Sequence, residues 1–340
     1  MKIYEVGGAV RDSILRIDPV DKDWVVVGSS PEEMIANGFK PIGKDFPVFL
    51  HPKTNEEYAL ARTEKKVGVG YHGFNFHYGK EITLEEDLSR RDLTINAIAK
   101  DDKGKLIDPF DGMSDIKNKI FRHVSEAFEE DPLRAIRLAR FHTYEHLRNF
   151  YIAKETKIML KKIEKSNEIS NLSSNRIWLE TEKSLKSSNP NIFFEMLLEF
   201  NLHMPHLENL KNCFCNTSNN PLIRWSELQI NNAFKLNKNL PIPNTFLHAE
   251  ELLKKLCVID LKSNKEELIN IIDKIPFKRD EALIKQLIEL PNLSKSKLLI
   301  TKLLDNIKKV DFTILSKFSS EKISREKIKL LNQVVRNLNE

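Results

Sequence analysis

Cysteine is almost missing from this chain of 340 residues: there are three, Cys213, Cys215 and Cys257, an odd number confined to the later half. A disulfide framework is therefore not expected. Long apolar runs are missing too, and none approaches the length needed to span a bilayer. The first residues, Met1-Lys2-Ile3-Tyr4-Glu5-Val6, lead straight into a strand-like segment with none of the design of a signal peptide. The expected location is the cytoplasm, with no membrane partner. No internal repeat is visible. What remains is ample for globular structure, since 41% hydrophobic residues over this length suffice for the cores of more than one domain.

The chemistry is concentrated near the start. Residues 7–23 read G-G-A-V-R-D-S-I-L-R-I-D-P-V-D-K-D, followed by the apolar run Trp24-Val25-Val26-Val27. Gly7 and Gly8 let backbone amides approach a triphosphate closely, because no Cβ intervenes. Arg11 adds a forked cation. Asp21 and Asp23, two apart on an expected strand, project from one face, so their carboxylates can bridge two hard cations. A lone Gly-Gly is usually a turn, and D-x-D is common on solvated strand ends. Their order here (strand, glycines, helix start, paired carboxylates, strand) describes a phosphate turn followed by a metal strand.

This pattern resembles the class II nucleotidyltransferases of the polymerase β superfamily, and its surroundings are most similar to the bacterial CCA-adding enzymes. The resemblance is carried by G-G-A-V-R-D and D-K-D-W-V-V-V-G, by F-P-V-F-L-H-P-K-T-N-E-E-Y-A-L-A-R-T-E at 46–64, R-R-D-L-T-I-N-A at 90–97, D-P-F-D-G at 108–112 and E-D-P-L-R-A-I-R-L-A-R at 130–140, and it fades beyond about residue 210. It implies catalytic, metal-holding carboxylates at Asp21 and Asp23 with Mg²⁺ as the cofactor, and a nucleotide site that includes Gly8, Arg11 and Arg91. The implied partners are tRNA, CTP and ATP, with no DNA. A third carboxylate would be Glu57 or Glu64, and the sequence does not choose. Some members carry a C-terminal phosphohydrolase domain built on His-Asp dyads. No histidine here is followed by aspartate, so that domain is not expected.

Further along, Asp131 precedes Pro132, a favoured first-turn residue, and Arg134, Arg137 and Arg140 follow at steps of three along one helix face. By itself this is a salt-bridged solvent face. Under the resemblance it is the nucleotide-selecting motif: Asp131 accepts from the exocyclic amino group that cytosine and adenine both carry, and Arg134 donates to the neighbouring ring acceptor. Uracil and guanine would set a carbonyl against the carboxylate. Arg137 and Arg140 then face phosphate or sugar. The Gly-rich segment 64–74 is expected to be the loop that the family ties to switching from C to A addition, and Asp108–Gly112 a hinge with Gly112 absorbing the dihedral change.

The expected fold is α+β: a mixed α/β nucleotidyltransferase head over 1–122, a helical neck with the selecting motif over 123–210, and a helical body and tail over 211–340 that binds tRNA. An Asn-rich, Pro-containing stretch around 207–245 is the best linker candidate. His203, His206, Cys213 and Cys215 have poor spacing for structural zinc. Charge favours the tail as the RNA-binding part, because residues 251–340 hold 19 Lys and Arg against 13 Asp and Glu, a surplus that exceeds the whole chain's +5. Three alternatives stay open: a poly(A) polymerase, a partial enzyme adding only CC or only A, and a non-catalytic RNA-binding protein.

Overall fold

The computed structural model describes residues 1–19, 21–42, 48–66, 68, 74–236, 239–260 and 264–338. They form two compact units, Met1–Glu208 and Asn209–Glu340. The first contains strands β1 (Lys2–Val6), β2 (Asp23–Val27), β3 (Lys40–Pro41), β4 (Val48–Leu50), β5 (Glu57–Leu60), β6 (Arg62–Lys66), β7 (Phe74–Tyr78), β8 (Ala99–Lys100), β9 (Leu106–Ile107), β10 (Ile120–Phe121) and β11 (Tyr151–Ile152). Between and after them run α1 (Gly8–Ile14), α2 (Pro31–Ala36), α3 (Leu84–Ser89), α4 (Gly112–Asn118), α5 (Leu133–His142), α6 (Lys154–Ser166), α7 (Ser174–Leu185) and α8 (Pro190–Glu199). The second unit is helical: α9 (Pro221–Asn231), α10 (Asn244–Cys257), α11 (Lys265–Asp273), α12 (Glu281–Leu287), α13 (Lys297–Lys309) and α14 (Ser320–Arg336). The expected α+β architecture is the one adopted.

Seven strands make one mixed sheet in the order β3-β4-β5-β2-β1-β8-β9, and β6 and β7 form a separate hairpin. The run Trp24 to Val27 is continuously apolar because both faces of the sheet are covered. Val25 packs with Val6, Leu88, Ala97 and Ala99 on one side, while Val26 packs with Met34, Phe49 and Leu60 on the other. The ladder begins at Asp23, which lies opposite Val6 of β1 and beside Glu57 of β5. Asp21 therefore precedes the strand, in a bend, and does not share it with Asp23 as the D-x-D spacing predicts.

Two expectations are corrected. Gly112 is not a hinge: a Cβ there would stand 2.2 Å from the carbonyl oxygen of Thr94, so glycine is needed for close packing. The turn before it is locked, with Asp108 accepting from the Gly112 and Met113 amides at 2.8 Å each and Asp111 in the left-handed region at φ 56°. The stretch 207–245 is not a linker either. Its asparagines cap and tie down packed structure: Asn220 accepts from the Leu222 amide at the start of α9, and Asn216 and Asn219 accept from the buried Arg224 at 3.0 Å each. Asn232 holds the Lys211 and Asn212 amides, and Trp225 is fully buried. Among the described residues, no helix is long and apolar enough to cross a membrane.

Candidate active site

A cleft of about 770 Å³ opens in the first unit where α1, the start of β2, the turn after α3 and the helices α5 and α7 converge. Gly7 makes the turn into α1 with φ 78° and ψ −141°, a backbone state that glycine reaches without strain. The place a Cβ on Gly7 would occupy is 3.2 Å from Arg91 Nη1 and 3.8 Å from Asp23 Oδ2, so the glycine keeps the cleft open between a cation and a carboxylate. Gly8, Arg11, Asp21, Asp23, Arg91, Asp131, Arg134, Arg137 and Arg140, all singled out in the sequence, line this cleft. The segment 67–73, expected to be the specificity loop, lies outside the described residues apart from Gly68.

Eight arginines and seven carboxylates line the walls, and the way they pair is informative. Arg11 is buried, bonded through Nε to Asp12 at 2.8 Å and through Nη1 to Asn96 at 2.7 Å. Asn96 donates in turn to Asp92 at 3.0 Å, and Arg137 closes the chain on the other oxygen of Asp92 at 2.8 Å. Burial alone would raise the pKa of Asp92; the Arg137 cation and the Asn96 bond outweigh it and hold the carboxyl far below its usual range. Burial is likewise overcome at Asp12 by His146, 3.2 Å away, and by Arg11. Arg11, Arg137 and Arg140 all stack on the ring of Phe141, at 5.5, 5.2 and 4.4 Å from its centroid.

Asp131 accepts from the Leu133 amide at 3.2 Å and is gripped by both terminal nitrogens of Arg176 on α7, at 3.3 and 2.8 Å. Arg134 bonds the Ala127 carbonyl and approaches Glu64 at 3.6 Å. Glu64 is otherwise taken by Arg62 at 3.1 Å and Arg90 at 2.7 Å. Glu57 is exposed and adjacent to Asp23 across the β2–β5 ladder, so of the two glutamates it is the one left available beside the aspartates. Arg140 is buried and turned to Glu180 and the Tyr144 hydroxyl, which makes it the most structurally committed of the three α5 arginines.

Asp18, Asp21 and Asp23 are different from the other four carboxylates. Asp12, Glu64, Asp92 and Asp131 each have an arginine, whereas these three are exposed and carry no ion pair among the described residues. Uncompensated carboxylates at the mouth of an arginine-rich cleft suit a hard divalent cation. No ready-made group of three or more ligating side chains exists among the described residues, so water and a bound phosphate would complete the shell. Sequence reasoning missed Arg62, Asp87, Arg90, Asp92, Asn96, Phe141, His146 and Arg176. The Arg-Arg-Asp tripeptide at 90–92 was the visible signal for three of them.

The resemblance to the CCA-adding nucleotidyltransferases is borne out by comparison with known proteins. Residues 3–122 match the family model described as the poly A polymerase head domain, and residues 149–214 match one described as the probable RNA and SrmB-binding site of polymerase A. A protein of Aliivibrio salmonicida named "Multifunctional CCA protein" is 59% identical over 199 residues, covering 58% of this chain and 49% of that protein. The chain thus spans about half the length of the curated relatives it matches. The CCA-adding enzyme of Bacillus stearothermophilus, solved in complex with CTP, superimposes with a TM-score of 0.70 over 98% of this chain and 89% of its own, at 22% identity. That of Thermotoga maritima, solved with tRNA, superimposes with a TM-score of 0.61 over 99% and 91%, at 20% identity. At these identities the likeness is one of fold.

Proposed function

We propose, from the poly A polymerase head domain that residues 3–122 carry, that this chain is a template-independent tRNA nucleotidyltransferase. It would add C, C and A to the 3′ end of tRNA from CTP and ATP, releasing pyrophosphate, in tRNA maturation and end repair in the cytoplasm. The observation that carries the reading is the segregation of charge in one cleft: unpaired Asp21 and Asp23 on one side, and arginines on the other. The relatives named for CCA addition, and the solved neighbours with CTP and with tRNA, support the substrate choice.

Divalent cations, Mg²⁺ in this reading, would be held by Asp21 and Asp23 and would supply charge neutralisation at the triphosphate and activation of the attacking hydroxyl. The chain's own groups do the rest. The turn at Gly7 and Gly8 admits the phosphates, while Arg11 and Arg91 offer them forked cations. Asp131 and Arg134 read the base edge, which restricts the enzyme to bases carrying an exocyclic amino group. Arg137, the least buried of the α5 arginines, faces phosphate or ribose. Residues 211–340 form the tRNA-binding part in this account. There Lys297 pairs with Glu289 and Lys308 with Glu281, while Lys295, Lys302 and Lys309 carry no such partner among the described residues and remain for a polyanion.

Asp21→Ala and Asp23→Ala test the assignment. Each should lower nucleotide incorporation by roughly three orders of magnitude or more while leaving thermal stability and tRNA binding nearly unchanged, since the carboxylates serve the transition state. Turnover near wild type in either variant, measured on tRNA lacking CCA, would remove the basis for the metal-site reading.

A further inference from the structure

Asp87 was not singled out by the sequence, yet it is the most buried carboxylate near the cleft, with no exposed surface at all. One of its oxygens accepts from Arg90 Nη2 at 2.7 Å, Arg90 Nε at 3.2 Å and the backbone N–H of Arg62 at 3.2 Å. The other accepts from Arg91 Nη2 at 3.2 Å. The two arginines depend on it unequally. Arg90 also bonds Glu64 at 2.7 Å and the Arg62 carbonyl at 3.0 Å, so it stays anchored without Asp87. Arg91 has Asp87 as its one ion-pair partner among the described residues, and its Nε is buried with no hydrogen bond.

Arg91 reaches in two directions from that anchor. Nη2 is on Asp87, and Nη1 stands at the Gly7 turn, 3.2 Å from where a Cβ would sit. A guanidinium fixed at one nitrogen presents the other in a set orientation, because the fork is planar and rigid. We infer that Asp87 is a positioning residue for the nucleotide site: it holds Arg91 against the Gly7 turn, so that the guanidinium meets the triphosphate without first having to be ordered. This rests on the nucleotide site proposed above. Burial would raise the Asp87 pKa, but Arg90 and Arg91 hold it below the ordinary carboxylate value, so the anchor is ionised at neutral pH.

The competing view is that Asp87 only fastens α3 to β6. The two are separated by a double-mutant cycle read in binding. Kd values for CTP and for ATP, by calorimetry with Mg²⁺ and without tRNA, are compared for wild type, Asp87→Asn, Arg91→Ala and the double variant. Asp87→Asn should weaken both nucleotides by roughly 10-fold, and adding it to Arg91→Ala should weaken them no further, because the anchor acts through Arg91. Asp87→Glu keeps the charge and shifts the carboxylate by one methylene. It should fold where Asn does not, and its smaller loss of affinity should likewise vanish in the Arg91→Ala background. Unchanged Kd in Asp87→Asn or Asp87→Glu accompanied by a lowered Tm, or losses that multiply in the double variant, would overturn the inference. Binding is read without transfer, so a wild-type protein that binds CTP but extends no tRNA would contradict the proposed reaction and leave the positioning role measurable; one that binds neither nucleotide would contradict both.

Discussion

Asp131 and Arg134 begin one turn of α5, yet they are held from different directions. The carboxylate is locked by Arg176 from α7, and the guanidinium leans toward the Ala127 carbonyl and Glu64. Each is oriented before a base arrives, which favours selection by fixed hydrogen-bond geometry. Arg134→Ala should relax discrimination against UTP and GTP by roughly 10- to 100-fold, the range for one lost base-edge contact, with a smaller effect on CTP affinity. Single-nucleotide incorporation of all four triphosphates reads this directly, and lost affinity with intact base choice would show that the wrong arginine has been given the reading role. At Gly112 the argument concerns packing. A methyl group 2.2 Å from the Thr94 oxygen cannot be absorbed by a flexible side chain, so α4 must move. Gly112→Ala should cost roughly 3 kcal/mol, seen as a fall in Tm of several degrees. A neutral effect would mean that α4 shifts freely and that the turn is mobile after all.

At the scale of elements, what the sequence revealed follows from distance along the chain. The Gly7-Gly8 turn, Arg11 and the two aspartates fall within 17 residues, so order and spacing place them together. The α5 arginines are legible because one helical period relates them. Their partners are not: Asp92 lies 45 residues before Arg137, Arg176 lies 45 after Asp131, and Glu180 lies 40 after Arg140. Only the sheet order and the packing of α5 on α7 and α8 bring these pairs together. The asparagines of 207–245 misled for another reason. Composition ties Asn to loops, but the amide both donates and accepts, and here it satisfies a buried arginine and the backbone around α9. On α13, Leu299, Ile300, Leu303, Leu304 and Ile307 face the core while Lys302 and Lys309 stay exposed. Charge reversal of Lys295, Lys302 and Lys309 should weaken tRNA binding and flatten its dependence on salt by about two counterions. Unchanged affinity and slope in that variant would make the basic face a solvated surface only.

Across the whole molecule, the α+β class and the succession of head and helices were legible because β-branched runs punctuated by Gly and Pro give way to 3.6-residue periodicity after about residue 112. The account's central claim is that this chain builds a defined three-nucleotide end without a template. The direct test is product length on a tRNA lacking its last three nucleotides, incubated with Mg²⁺ and either one nucleotide or two. CTP alone should add two residues and stop, CTP with ATP should add three and stop, and UTP or GTP should add none. A ladder of adenylates growing from ATP alone, or no extension under any combination, would contradict it.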